Sequence, residues 1–135
     1  MNYKTYTVKE FENGTKHWYK DGELHREDGP AIEWKNGYKL WYKDGKQHRE
    51  NGPAIEFVNG DKHWLKDDKL HREDGPAIEE RIGINKWYLN GVRYCQAEYD
   101  FKIYDKKSKT YDIKGKQVSE DTIHQALKYH NACIR

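Results

Sequence analysis

A segment of 23 residues occurs three times in succession, and this repetition constrains the fold more than any other feature of the sequence. The whole units span residues 15–37, 38–60 and 61–83, and the first two units are identical at 16 of 23 positions. Val8–Gly14 matches the end of a unit and Lys86–Gly91 matches its beginning, so a partial unit flanks the array on each side. Self-similarity at a fixed period is typical of repeat proteins, in which one supersecondary unit stacks on the next.

Each unit carries two dipeptides that favour tight turns. Asp21-Gly22 and Asp44-Gly45 follow a Trp-Tyr-Lys run, whereas Asn36-Gly37 and Asn59-Gly60 follow an Ala-Ile-Glu-aromatic run. Both dipeptides supply the positive φ angles of a type I′ hairpin turn, and the third unit has the less suitable Asp67-Asp68. The short stretches between turns are aromatic or β-branched, as in strands. We therefore predict a mainly β fold, in which stacked antiparallel β-hairpins form an elongated meander sheet.

Large apolar side chains recur at fixed positions of the unit, and no single unit can bury them alone. We predict that the indole rings stack on one another and that the isoleucines join them in a continuous core. Exposure of the rings for stacking on a ligand is the alternative interpretation. The predicted core residues of the repeats are Trp18, Trp41, Trp64, Trp87, Ile32, Ile55 and Ile78.

A His-Arg-Glu-(Asp/Asn)-Gly-Pro-Ala segment occurs once in every whole unit. Catalysis needs its groups once, in one cleft. With two strands per unit, equivalent histidines lie roughly 10 Å apart, too far to share one metal ion with bonds of about 2 Å. We expect a local structural role, with a repeated row of partner contacts as the alternative. The candidate partner-binding residues in these segments are His25, Arg26, His48, Arg49, His71 and Arg72.

The repeat ends near residue 93, where Tyr94-Cys95 stands in the place of His-Arg. Residues 94–135 are predicted to extend the same domain, first with strands at 97–104 and 110–113 and then with a capping helix at about 120–132. The lysines of this stretch indicate either a solvated hairpin or a contact surface for an anionic partner. Those named as candidate contacts are Lys102, Lys106, Lys107 and Lys109.

The composition bounds the class of protein. The 25 basic and 23 acidic residues leave a net charge of +2, too small to indicate a nucleic-acid or membrane partner by itself. No apolar run approaches the ~18 residues of a membrane span, and the first residues do not resemble a signal-peptide core. The two cysteines lie far apart in sequence, and we expect free thiols in a reducing cytoplasm.

The unit W-Y-x-(D/N)-G-x-x-H-R-x-(D/N)-G-P-A resembles the MORN-repeat-variant proteins, which are common in tailed bacteriophages, and more distantly the YwqK-type antitoxins. The resemblance covers about residues 8–93. It implies stacked β-hairpins and a protein-binding role, and it implies no catalytic residue and no cofactor.

These observations lead us to expect a non-enzymatic phage accessory protein that binds and inhibits a host protein, such as a defence or nuclease component, in the host cytoplasm. One alternative is an antitoxin-like or scaffold protein of a bacterial cell. A second alternative is a nucleotide or nucleic-acid binder that uses the aromatic rings and the basic C-terminal stretch. An edge strand near Met1–Val8 would also permit a homodimer.

Overall fold

The computed structural model describes residues 5–111, with side chains described for residues 5–106. This part is mainly β, as the repeat predicted: short antiparallel strands form an open meander, followed by one helix. The strands and the helix, in chain order, are β1 (Thr7–Glu10), β2 (Lys16–Lys20), β3 (Glu23–Leu24), β4 (Ile32–Glu33), β5 (Lys39–Leu40), β6 (Tyr42–Lys43), β7 (Lys46–Gln47), β8 (Ile55–Glu56), β9 (Lys62–His63), β10 (Leu65–Lys66), β11 (Lys69–Leu70), β12 (Ile78–Glu79), β13 (Asn85–Leu89), β14 (Val92–Tyr94) and α1 (Gln96–Tyr111).

The strands are divided between one long sheet and two small hairpins. The long sheet has the order β1-β2-β4-β5-β8-β9-β12-β13-β14, with β3 pairing to β2, and the two-stranded sheets are β6-β7 and β10-β11. The second and third units therefore contribute to the long sheet and each project a separate short hairpin, whereas the corresponding hairpin of the first unit, β2-β3, belongs to the long sheet. The exposed strand β1 forms one edge of the long sheet, and pairing of two copies there stays a prediction.

The core is a narrow line of small and branched side chains that repeats every 23 residues. Ile55 lies between two neighbouring strands, opposite Leu40 on one side and His63 on the other. Ile32 and Ile78 have equivalent places, and all three isoleucines are buried. The alanine before each isoleucine is completely inaccessible to solvent, as Ala54 illustrates. Burial of these residues fixes the register of the meander, because a shift by one residue would expose them.

The two turn dipeptides form different turns. Asp21 and Gly22 have φ angles of 51° and 78°, both positive as a type I′ turn requires, and Asp44-Gly45 repeats this geometry. At Asn36-Gly37 only the glycine has a positive φ, of 98°, so the type I′ prediction is wrong there. The Asn36 side chain instead accepts a hydrogen bond from the backbone N–H of Tyr38. The N–H of Trp34 donates to the carbonyl of Tyr38, so that residues 35–37 form the loop. This loop is one residue longer than a two-residue hairpin loop.

The C-terminal extension differs from the prediction. Residues 97–104, and residues 110–111 of the second predicted strand, belong to helix α1. The alternation of aromatic and polar residues suggested a strand, but Tyr99 and Ile103 are spaced for one face of a helix and line the same cleft against the third unit. The predicted helix at about 120–132 lies outside the described residues.

Two further findings concern the class of protein. Cys95, which we expected to be a free thiol, is disulfide-bonded, since distance along the sequence does not fix distance in space. The cysteines therefore give no support to a reducing compartment. Within the described range 5–111, no helix has the length and apolarity needed to cross a membrane.

The buried isoleucines of the core generate a stability prediction. Replacing Ile55 with Ala should lower the free energy of unfolding by about 2 kcal/mol or more, because a buried branched side chain leaves a cavity between two strands. Val58, in the same unit, is 61% exposed, and Val58→Ala should change stability by less than about 0.5 kcal/mol. Urea denaturation followed by tryptophan fluorescence measures both values, and equal effects would contradict the assigned core.

Candidate interaction surface

The repeated tryptophans of the three whole units, Trp18, Trp41 and Trp64, contact arginines and not one another. In each unit the guanidinium carbon lies over the indole ring of the same unit, at 4.0, 4.0 and 3.9 Å from the ring centroid in the pairs Arg26–Trp18, Arg49–Trp41 and Arg72–Trp64. Among the side chains of residues 5–106, the aromatic ring pairs include no tryptophan. The predicted stack of indoles is therefore replaced by a row of cation–π pairs. All four repeated tryptophans are half-buried, and Trp87 has Cys95 in the place of its arginine.

Each arginine also binds the turn that follows it. The Nη1 of Arg72 donates to the carbonyl of Pro76 at 3.0 Å and to Glu79 at 2.7 Å, and its Nε donates to Asp74 at 2.8 Å. Arg26 makes the same three contacts in the first unit. We call the five residues from this arginine to the proline the corner; the three corners are Arg26–Pro30, Arg49–Pro53 and Arg72–Pro76.

The glycine of each corner makes room for the guanidinium. A Cβ added at Gly52 would lie 2.8 Å from Cζ of Arg49, and the equivalent distances at Gly29 and Gly75 are both 2.9 Å. The arginine is thus enclosed by an indole face, a glycine backbone and a carboxylate. These positions need glycine because a side chain would collide with the guanidinium, and not because their φ angles are unusual. The sequence pattern alone does not distinguish these two reasons.

The repeated histidines join successive units. Nδ1 of His25, His48 and His71 accepts the backbone N–H of the residue nineteen positions later, at 2.9, 3.2 and 2.9 Å. Each accepted N–H belongs to the turn of the next unit, and Nε2 faces the glutamate two residues after the histidine. Within residues 5–111 no group of three or more histidine, cysteine or acidic residues could hold a metal ion.

The four lysines named as candidate contacts lie on α1. Lys106 forms an ion pair with Glu73 of the third corner, and Nζ of Lys102 lies 5.0 Å from the ring centroid of Tyr94. Lys107 and Lys109 belong to the same helix, and their side chains lie outside the described part. The structure thus brings Lys106 and Arg72 to the same corner, whereas the first and second corners lie away from the helix.

Two equivalent clefts open between successive units. The first cleft lies between the first corner and the second unit, with Trp41 and His48 in its wall. The second cleft lies between the second corner and the third unit, with Trp64 and His71 in the same places. Each has a volume of about 630 Å³, within the range of ligand and peptide sites. Asn51, which is exposed, lines both clefts.

Helix α1 covers the corresponding place beyond the third corner. The Tyr99 hydroxyl donates a hydrogen bond to the carbonyl of Arg72 at 2.5 Å and accepts one from the N–H of Gly75 at 3.2 Å. Only 3% of Tyr99 is exposed, and this burial raises the pKa of its hydroxyl. The cleft that remains beside the helix measures about 320 Å³, half the volume of the first and second clefts.

The histidine and arginine of each unit were predicted as candidate contacts, whereas other groups around the clefts were not. These are the glutamate, the Asp or Asn and the glycine of each corner, together with Tyr99. The glutamate is present in all three whole units, and this invariance was the available signal. Nothing in the repeat pattern pointed to Tyr99, because it lies outside the array.

Comparisons of the chain with known protein families, with curated proteins and with solved structures found no match.

The enclosed arginine generates a prediction for a double-mutant cycle. Gly52→Ala should lower the free energy of unfolding by about 1–3 kcal/mol, because the added methyl group displaces the guanidinium of Arg49 from Trp41. In an Arg49→Ala background the same substitution should cost less than about 0.5 kcal/mol, since the clash is gone. Urea denaturation of the four proteins gives the coupling energy. Additive effects would show that the glycine is needed for another reason.

The half-buried His71 generates a pH prediction. Burial lowers the pKa of His71 from 6.5, Glu73 opposes this shift, and Lys66 and Lys106 add to it. Between the lowered pKa and pH 6.5, His71 binds more protons in the unfolded chain than in the folded one. Its contribution to the free energy of unfolding is therefore complete above pH 6.5 and decreases as the pH falls below that value. The melting temperature should therefore be lower at pH 5.5 than at pH 7.5, with a smaller difference in His71→Gln. An unchanged difference in the variant would exclude His71 as a cause.

Proposed function

We propose that this chain is a non-enzymatic repeat protein that binds another protein through its first and second clefts. The observation that carries the proposal is the recurrence of one cleft of about 630 Å³ with the same residue types at the repeat period. The buried core consists mainly of alanines, isoleucines and leucines, and exposed groups of the cleft walls such as Asn51 lie outside it, so these exposed groups are available for recognition. Repeat arrays use extended surfaces of this kind to bind partners.

The state of the polar side chains supports a binding role over a catalytic one. The histidines accept hydrogen bonds from backbone amides of the next unit, and the arginines are enclosed by tryptophan, glycine and carboxylate. Such groups hold the fold together and are poorly placed to transfer protons to a substrate. The clefts are also open to solvent on one side and contain their groups in two copies.

The charge of the clefts favours a protein partner over a nucleic acid. Each cleft is lined by three acidic and three basic residues. The acidic ones are Glu27, Asp28 and Glu50 in the first cleft and Glu50, Glu73 and Asp74 in the second, and the basic ones are two arginines together with Lys43 or Lys66. The arginines nearby already pair with acidic residues of their own units. The lining of each cleft therefore carries no net positive charge with which to bind a phosphate backbone.

The repeat motif extends the proposal to a biological setting. Because the unit resembles repeats common in tailed bacteriophages, we place the protein among phage accessory proteins that bind and inhibit a host protein in the host cytoplasm. Defence proteins and nucleases of the host are the classes of target that we propose.

Affinity capture with matched variants tests the proposal. The full chain should retain one bacterial protein in stoichiometric amounts, and Asn51→Arg should reduce retention at least tenfold, because it places a bulky cation between the two clefts. Val58→Arg is the control, since it adds the same side chain at an exposed loop position outside both clefts. Melting temperatures establish that both variants are folded.

Four outcomes count against the proposal. Equal retention by both variants would place the contact elsewhere, and retention of no protein would reject a protein-binding role. If the captured protein keeps its activity when saturated with the chain, the inhibitor assignment is rejected and a scaffold role is favoured. Retention of nucleic acid that decreases steeply with salt would favour the nucleic-acid alternative.

A further inference from the structure

Tyr99 shows how one corner accepts a side chain from a separate segment. Its hydroxyl is held by the carbonyl of the corner's arginine and by the N–H of the glycine three residues later. We call this pair of backbone groups the tyrosine socket. In the third corner it consists of Arg72 O and Gly75 N. A hydroxyl suits the socket because it donates one hydrogen bond and accepts another.

The second corner has the same backbone arrangement. Nη1 of its arginine donates to the proline carbonyl at 3.0 Å, the distance found in the third corner, and the two glycine-to-arginine approaches agree within 0.1 Å, at 2.8 and 2.9 Å. No side chain among residues 5–106 forms a hydrogen bond with Arg49 O or Gly52 N. Both residues instead line the second cleft, which has twice the volume of the cleft beside α1.

Helix α1 also provides a charged contact at a fixed distance from the tyrosine. Lys106 follows Tyr99 by seven residues, or about two helical turns, so the two side chains project from the same face. Lys106 pairs with Glu73, and Glu50 is the equivalent glutamate of the second corner, with 62% of its side chain exposed. The second corner therefore repeats both the backbone groups and the carboxylate that α1 uses. Glu50 also contacts Nε2 of His48 at 2.7 Å, whereas the same distance from Glu73 to His71 is 3.7 Å, so a partner's cation would share the Glu50 carboxylate with His48.

We propose that the second corner is a binding site for a tyrosine on a basic helical segment of a partner protein, with a lysine or arginine seven residues after the tyrosine. This inference rests on the proposed protein-binding function and names the chemistry of its partner. The tyrosine hydroxyl occupies the socket formed by Arg49 O and Gly52 N, its ring lies in the second cleft, and the cation pairs with Glu50.

A peptide with the sequence of residues 96–111 is the probe, because α1 is a segment known to fit a corner. Titration into the full chain, labelled with ¹⁵N at glycine, should shift the amide signal of Gly52. The same peptide with Tyr99→Phe should bind roughly tenfold more weakly, because it retains the ring and loses both hydrogen bonds. This comparison uses one protein, so it does not depend on the folding of a variant.

A pair of matched protein variants tests the charged contact. Glu50→Gln should weaken binding of the peptide several-fold, with a smaller effect of salt than in the unchanged chain. Glu12→Gln is the control, because it removes the same charge from an exposed position that lines neither cleft. The peptide should bind Glu12→Gln as tightly as the unchanged chain and Glu50→Gln several-fold more weakly. Equal affinities of the two variants would reject the assigned role of Glu50.

The site is rejected if the Gly52 signal does not move, or if the phenylalanine peptide binds as tightly as the tyrosine peptide. A shift confined to Gly75 would mean that the peptide only exchanges with the chain's own helix, and would also reject it. Failure of the tyrosine socket can be distinguished from failure of the proposed function. If retention of the captured protein depends on Asn51 of this chain but on none of the captured protein's own tyrosines, the clefts remain the binding surface and the socket is excluded.

Discussion

The arginine of each unit lies between the indole of that unit and the glycine of the corner that follows it. Its guanidinium also binds the proline carbonyl and a glutamate on the next strand, as Arg49 does with Pro53 and Glu56. One side chain thereby fixes the position of the short hairpin of a unit relative to the strand that follows the corner. In the second unit these elements are the hairpin β6-β7 and strand β8. A cation–π contact of this kind contributes about 0.5–2 kcal/mol, which is modest alone but recurs in every whole unit.

Coupling between units depends on other groups. His48 accepts the N–H of Asp67 in the next unit, and Asp68 exchanges two hydrogen bonds with the backbone of Gln47. These contacts reach only the neighbouring unit, so the stability of the array approximates a sum of unit and interface terms. The last whole unit needs a different neighbour, and α1 supplies it through Tyr99. The helix closes one end of the array without continuing the repeat.

These internal contacts also determine which groups of the clefts are accessible. Because arginines and histidines are occupied within the array, the accessible groups of the clefts are carboxylates, lysines and backbone atoms of the corners. Glu50, Lys66 and the backbone of Arg49–Gly52 are examples. The histidines and arginines of the repeat therefore support the surface, and under the proposed function the groups that contact a partner lie beside them. The contact of α1 with the third corner shows that this surface accommodates a helix.

The sequence alone determined the features that depend on local periodicity. It determined the number and length of the units, the β-hairpin class and the type I′ turns at Asp21-Gly22 and Asp44-Gly45, because positive φ at two successive residues is a local preference. Tertiary structure decided the rest. Whether Trp41 meets another indole or Arg49 depends on how far apart the units lie, and Asn36-Gly37 forms a longer loop because its side chain bonds to Tyr38. Residues 97–104 are helical because Tyr99 is buried against a corner, a contact that no pattern within that segment contains.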